Sequence, residues 1–342
     1  MNVNTQKIQY KSTRSNTNRY SFEEAVCSGY APDGGLFIPE TLPIINHTTL
    51  TQWTSLSFPE LATQILRNFI SEDELSTHEL KTICHATVDE FDDMNHPIAV
   101  KPLSPSNPKV FISELFHGPT MCFKDFGLRF LIQLLSHYCT KRQKPQTIIV
   151  ATTGDTGPAA LASVCHANNP LLDIIIHYPH GQISNFQRKQ LTCIKSERCR
   201  VVAFEGGGDD MDVPIKNILT GSGDGVCGVN SYNVARPLMQ MVHFIWTYLR
   251  ILETFEPNNE HAFPIVDYII PTGAMGNIVA AYMAKLCGVP IGKLCAAVNV
   301  NDVSYRAITL GELYKSSIMH KTLSEAINIQ LVSRFLLTSK YS

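Results

Sequence analysis

A single lysine, Lys124, stands in the stretch LFHGPTMCFKDFGLRF (residues 115–130), after the turn-prone His117-Gly118-Pro119-Thr120 and before a helix-like segment. Phe123 and Phe126 bracket it at positions that cannot all face water. A desolvated amine gives up its proton more readily, and the neutral amine is the form that attacks a carbonyl. Lys124 is therefore either a solvated helix lysine with a snorkelling stem or a Schiff-base nucleophile.

Two glycine turns bear on that choice. Gly273-Ala274-Met275-Gly276-Asn277 lies between a strand and a helix, where backbone N–H groups converge on the positive end of the helix dipole. Its small residues let a phosphate approach, and it contains no lysine or arginine. The alternative is a tight turn that uses glycine only for backbone shape. Thr153-Gly154-Asp155-Thr156-Gly157 is a second strand-to-helix turn, weak as a signal by itself. Neither has the GxGxxG spacing of a dinucleotide site or the GK[ST] ending of a P-loop, which disfavours a nicotinamide dehydrogenase or a nucleotidase. A reactive lysine, a turn able to take a carboxylate and a distant turn able to take a phosphate together suit pyridoxal 5'-phosphate and an amino-acid substrate.

The elements that must position these groups alternate. Apolar strands at 148–153, 172–176, 200–204, 266–270 and 296–300 are interleaved with helical stretches at 124–138, 185–195 and 278–287 and an alanine-rich helix after Gly157. Strands that read as apolar runs are expected to be buried on both faces, so a parallel sheet flanked by helices follows. Residues 110–116 read as a further strand, preceded by the punctuation Pro102, Pro105 and Asn107. Residues 1–95, with helical stretches at 58–70 and 73–86, form an N-terminal domain closed by the acidic run 89–93, which is expected to be a solvated face.

The 342 residues carry a net charge of -2 and 44% hydrophobic content, enough for a sizeable core and no field for nucleic acid or an anionic membrane. The ten cysteines are scattered without a CxxC pair, which suits reduced, mostly buried thiols in the cytoplasm. No signal peptide or membrane span is expected. His177 and His180 lack a nearby third ligand, so no metal is expected.

The blocks LFHGPTMCFKD, ATTGDTGPAA, VNSYNVARPLMQM and PTGAMGNIVAAYMAK resemble those of threonine synthases and their animal threonine-synthase-like relatives, and SFEEAVCSGYAPDGGLFIPE resembles that family's N-terminal domain. The resemblance runs in order from about residue 10 to 330. Gly273–Asn277 and the 211–216 segment are closer to the threonine-synthase-like phospho-lyase branch. It implies an α/β fold type II pyridoxal-phosphate architecture, a three-layer αβα sandwich similar to tryptophan synthase β. The implied domains are 1–95, 96–330 (catalytic) and a divergent tail, 331–342, with the fold incomplete at its C-terminus.

The implied roles follow by position. Lys124 holds the cofactor and moves the α-proton; Gly273, Ala274, Met275, Gly276 and Asn277 hold the cofactor phosphate. Thr153, Gly154, Asp155, Thr156 and Gly157 receive the substrate carboxylate. Asn230, Ser231, Asn233 and Arg236 match a polar block, with Arg236 either gripping a substrate phosphate or a structural surface arginine. His117 is expected beside the lysine. The implied reaction removes phosphate from O-phosphothreonine or O-phosphohomoserine to give 2-oxobutanoate, ammonia and phosphate. A threonine-forming synthase and a non-catalytic form are the alternatives. Met121, Cys122 and Val234 depart from the family pattern. The missing continuation is expected to leave the chain catalytically poor and marginally stable, with apolar surface uncovered.

Overall fold

The structure, a computed structural model, describes residues 7–221, 225–255 and 263–330. The expected tail, 331–342, lies outside the described residues. The N-terminal part holds strands β1 (Tyr10–Ser12) and β2 (Phe37–Pro39), paired antiparallel, and helices α1 (Phe22–Ser28), α2 (His47–Trp53), α3 (Phe58–Arg67) and α4 (Thr77–Val88). Capping sets several of these starts. Ser21 and Ser76 each take an N–H from the glutamate three residues on, and that glutamate reaches back to the serine N–H.

A hairpin follows, β3 (Ala99–Ser104) against β4 (Asn107–Glu114). This corrects the reading of 100–107 as punctuation: Pro102 sits within β3, and the exposed two-stranded ribbon tolerates it. Helix α5 (Lys124–Arg142) runs beyond the expected end at Tyr138, closing on Gln143 in the left-handed conformation.

The central sheet is parallel throughout, in the order β7-β6-β5-β8, with β5 (Gln146–Ala151), β6 (Leu172–Pro179), β7 (Cys199–Phe204) and β8 (Val226–Gly228). Helices α6 (Thr156–Ala167), α7 (Asn185–Thr192) and α8 (Asp212–Gly221) lie between these strands in sequence. Helix α9 (Ala235–Leu252) leads to a second parallel pair, β9 (Val266–Pro271) and β10 (Ile291–Ala297), joined by α10 (Gly276–Leu286). β10 therefore begins and ends earlier than the expected 296–300. β5 is buried nearly throughout, whereas β7, β9 and β10 alternate between covered and exposed positions. Burial on both faces holds for the inner strand and fails at the edges.

Every residue of helix α9 except Arg250 and Leu252 is buried, although Arg236, Gln240, His243, Thr247 and Arg250 recur along it at helical spacing. Its Trp246 packs on Phe58 with ring centroids 5.5 Å apart, and Phe58 packs on Phe126 of α5 at 5.4 Å. One aromatic cluster thus ties α3, α5 and α9 together and fixes the helix on which Lys124 is the first residue. The acidic run is a solvated face, with Asp89, Glu90, Asp92 and Asp93 all exposed, and it has a second role. Asp89 and Glu90 grip Arg129 of α5, which is 1% exposed, at 2.5 and 2.6 Å, so two carboxylates at the surface also neutralise a buried guanidinium.

All ten cysteines are free thiols; Cys27, Cys84, Cys139, Cys227 and Cys287 are buried, while Cys165, Cys193 and Cys295 are exposed. Among the described residues no helix is long and apolar enough to cross a membrane, and no cluster of His, Cys, Asp and Glu is arranged to hold a metal ion.

Candidate active site

Five stretches far apart in sequence, together with Asp212, meet at one cavity of about 130 Å³. Phe123 and Lys124 come from the start of α5, Thr152, Thr153 and Thr156 from the β5–α6 turn, Asn230, Ser231, Arg236 and Gln240 from the approach to α9 and its first turns. Pro271 to Ile278, at the β9–α10 turn, forms the facing wall, and Ala326, Ile327 and Ile329 close one side. The parallel strands cause this convergence, since the turns at the carboxyl ends of β5 and β9 open toward the same space.

Lys124 is not a solvated helix lysine. Its side chain is 12% exposed, its Nζ lies 4.6 Å from the Phe123 ring centroid, and it donates to Asp155 Oδ2 at 2.9 Å. Asp155 stands at the N-cap of α6 but makes no side-chain capping bond there. Its other oxygen accepts from Gln187 Nε2 at 2.7 Å. Burial pushes the Asp155 carboxyl up, but the Lys124 charge and hydrogen bond, with Gln187, outweigh it and leave the group below the usual carboxylate range.

The Thr153–Gly157 turn does not present all five residues. Thr153 and Thr156 line the cavity, and Asp155 reaches it through Lys124. Gly154 and Gly157 serve the turn itself: Thr152 Oγ1 accepts from both backbone N–H groups, and Gly154 has φ +152 with Gln187 packed where a Cβ would sit.

At the facing wall, Met275 adopts φ 63, ψ -1, a left-handed conformation costly for a side chain, and it is 4% exposed. This kink directs the first turn of α10 at the cavity. The first N–H groups of a helix have no partner inside it, so Gly276, Asn277 and Ile278 offer donors there. Asn277 is itself held. His243 of α9 is fully buried, burial drives its imidazole down to about 3, and the neutral ring donates Nε2–H to Asn277 Oδ1 across 3.0 Å. The His243 signal lay in its spacing from Arg236 and Gln240, which becomes visible only once α9 is recognised as a helix.

Other expectations are corrected. Asn233 is fully buried and donates to the Val26 and Gly228 carbonyls, so it braces the chain rather than facing the cavity. His117 does not line the cavity; it sits between Glu114 at 2.9 Å and Asp92 at 3.0 Å, and these carboxylates raise its pKa. Arg236 is no surface arginine: it is 2% exposed, lines the cavity and donates Nη1–H to the Val229 carbonyl at 3.0 Å. Met121 is 69% exposed and takes φ 58, while Cys122 is half-buried beside the Lys124 loop. Val234 is buried at the N-cap of α9, one residue before the cavity-lining turn.

Residues 9–88 match the family model described as threonine synthase N terminus. Over 326 residues the chain is 37% identical to threonine synthase-like 2 of Homo sapiens, covering 94% of this chain and 65% of that protein. Over 332 residues it is 35% identical to threonine synthase of Pseudomonas aeruginosa, covering 96% of this chain and 67% of the relative. The crystal structure of pyridoxal-phosphate-bound threonine synthase from Brucella melitensis superposes with a TM-score of 0.82 at 28% identity, covering 96% of this chain and 68% of that one. The chain thus spans about two thirds of the length of these relatives.

Proposed function

The chain belongs to the threonine synthase family, with the fold type II α/β architecture of its structural neighbours, and from that premise we propose that it is a pyridoxal-phosphate-dependent phospho-lyase. The substrate is O-phosphothreonine or O-phosphohomoserine; with one water consumed, the products are 2-oxobutanoate, ammonia and phosphate. The observation that carries this reading is the shared cavity of Lys124, the Gly273–Asn277 turn and Arg236.

The residues present fit pyridoxal phosphate. Its aldehyde needs a primary amine, which Lys124 offers from a largely buried position. Its phosphate needs donors without a competing carboxylate, which the start of α10 offers through Gly273, Ala274, Met275, Gly276 and Asn277. When bound, the cofactor supplies an electron-withdrawing ring that stabilises negative charge on the substrate α-carbon.

The chain's own groups do the rest. Lys124 Nζ, positioned by Asp155, takes and returns the α-proton. Thr153 and Thr156 face the substrate carboxylate. Arg236, whose Nη1 is held by the Val229 carbonyl, places its guanidinium toward the leaving phosphate. Phe123 and the wall formed by Ala326, Ile327 and Ile329 exclude water from the reacting atoms. Residues 1–95 serve as the N-terminal domain and 96–330 as the catalytic one, a division supported by the span of the matched family model. The protein works in the cytoplasm on small molecules, without nucleic acid or membrane.

The threonine synthase relatives favour a second reading, in which water adds and threonine is released. The test is to incubate the yellow, cofactor-loaded chain with each phospho-amino acid and quantify phosphate, 2-oxobutanoate and threonine. Phosphate with 2-oxobutanoate supports the lyase; phosphate with threonine supports the synthase. Absence of phosphate from both substrates rejects the two readings together.

A further inference from the structure

His243 of α9 is 1% exposed, and its imidazole packs edge-on against Phe126 of α5, with ring centroids 6.0 Å apart, and against its neighbour Phe244 at 4.5 Å. Phe126 is in the first turn of the helix that Lys124 begins. On its polar edge the same ring meets the first turn of α10, with Nε2 3.0 Å from Asn277 Oδ1. One side chain therefore spans the lysine helix and the facing cradle.

The hydrogen in that bond comes from the imidazole. Oδ1 is a carbonyl oxygen and can only accept, and two acceptors would repel at 3.0 Å, so Nε2 carries the proton. Nδ1 is then the bare nitrogen, in keeping with its lack of a hydrogen-bond partner among the described residues. A buried polar atom left unpaired costs about 1–3 kcal/mol, which a leucine between Phe126 and Phe244 would avoid. Packing alone does not account for a histidine here.

The bond also decides which way the Asn277 carboxamide faces. With Oδ1 turned to His243, the Nδ2 group is the opposite branch of the same plane, and it donates to no group among the described residues. Asn277 lines the cavity, so its amide hydrogens add a side-chain donor to the backbone donors at the start of α10. Left alone, an asparagine at a helix start can turn its carboxamide back onto nearby backbone groups. The contact with His243 removes that alternative.

We infer that His243 is a positioning residue for the cofactor phosphate: it holds the Asn277 carboxamide with its N–H groups toward the cavity and sets the start of α10 against the helix that begins at Lys124. This deepens the proposed function and rests on it. The imidazole does not itself line the cavity. Its effect is confined to ligands that carry the phosphate.

The full chain, freed of cofactor, is titrated by fluorescence with pyridoxal phosphate and separately with pyridoxal, which has the same ring and aldehyde but no phosphate. His243→Leu keeps an apolar contact with Phe126 and Phe244 and removes the donor. It should weaken pyridoxal phosphate binding at least about tenfold, about 1.4 kcal/mol, and leave pyridoxal within about twofold. His243→Gln, which still offers an N–H at the end of its side chain, should recover most of the loss. Asn277→Ala should show the same split between the two ligands. The double variant His243→Leu, Asn277→Ala should bind no worse than Asn277→Ala alone, since the two side chains act through one bond.

Equal losses for the two ligands would mean that His243 only packs, and additive losses in the double variant would mean that it acts without Asn277. Either result overturns the inference. So does an unchanged affinity for pyridoxal phosphate in His243→Leu or in Asn277→Ala, the second of which changes a half-buried residue and leaves the core intact. A wild-type chain that binds neither ligand sinks the underlying reading, and this inference with it.

Discussion

Lys124 Nζ and Asp155 Oδ2 lie 2.9 Å apart, with side chains 12% and 28% exposed, and the pair joins the start of α5 to the start of α6. Asp155 has given up its local role as a helix cap to make this contact. An amine at the rim of a cavity is held in one place by that carboxylate and by the Phe123 ring. Gln187 steadies the carboxylate from its other side.

Replacing Lys124 with alanine should remove the yellow colour that borohydride bleaches, because no other lysine lines the cavity among the described residues. The fold should survive, at a cost of about 1 kcal/mol from leaving Asp155 with Gln187 alone, a figure kept small because the carboxylate still reaches water. Absorbance before and after borohydride, with peptide mapping of the label, checks this. A mutant that keeps the reducible colour places the cofactor elsewhere.

The same pair predicts a pH dependence. Asp155 has a folded pKa below its ordinary value of 3.8. A depressed carboxyl contributes stability that is present above the unfolded pKa and lost as pH falls through the folded one. The stability gap between the wild type and Asp155→Asn should therefore be constant from neutral pH down to about pH 5 and close below pH 3.8. Urea unfolding at a series of pH values measures it. A gap that persists at the acid end would show that shape, not charge, is what Asp155 contributes.

At the facing turn, a Cβ built on Gly276 would meet the Ser231 Cβ at 2.9 Å. Gly276→Val should push the start of α10 away from the Asn230-Ser231 loop and misdirect the backbone donors, weakening cofactor binding at least about tenfold. Fluorescence titration of the apo chain is the measurement, and an unchanged affinity would remove the cradle from the site.

How far the sequence could be read depended on contrast between neighbouring residues. Lys124 and the two glycine turns were legible because polar or glycine residues interrupt apolar runs at strand ends, where the chain must turn. Helix α9 was less so: Arg236, Gln240, His243, Thr247 and Arg250 recur at helical spacing, but the polar stripe is narrow within a mostly apolar run, and so Gln240 and His243 went unnoticed. The role of Arg129 was hidden for a different reason. Its partners Asp89 and Glu90 are some forty positions away, and no local pattern links a surface-looking acidic run to a guanidinium in another helix. The β3–β4 hairpin was lost because Pro102 reads as a breaker, a rule that fails on an exposed ribbon.

The pair β9 and β10 supports the last prediction. Along β9 and the residue before it, alternate side chains point the same way. Val266, Tyr268 and Ile270 face the covered side, while Ile265 and Ile269 are 76% and 77% exposed. Two β-branched residues on one bare strand face favour association with another apolar surface. Each contributes little to this chain's own stability, since burial is what makes an isoleucine stabilising. Changing both to threonine keeps the strand preference and lowers the apolar area. The double variant Ile265→Thr, Ile269→Thr should stay monodisperse at higher protein concentration by light scattering, with its unfolding free energy within about 0.5 kcal/mol of the wild type. A loss of 2 kcal/mol or more would mean that these side chains are buried in the working protein, against a surface the described residues do not supply.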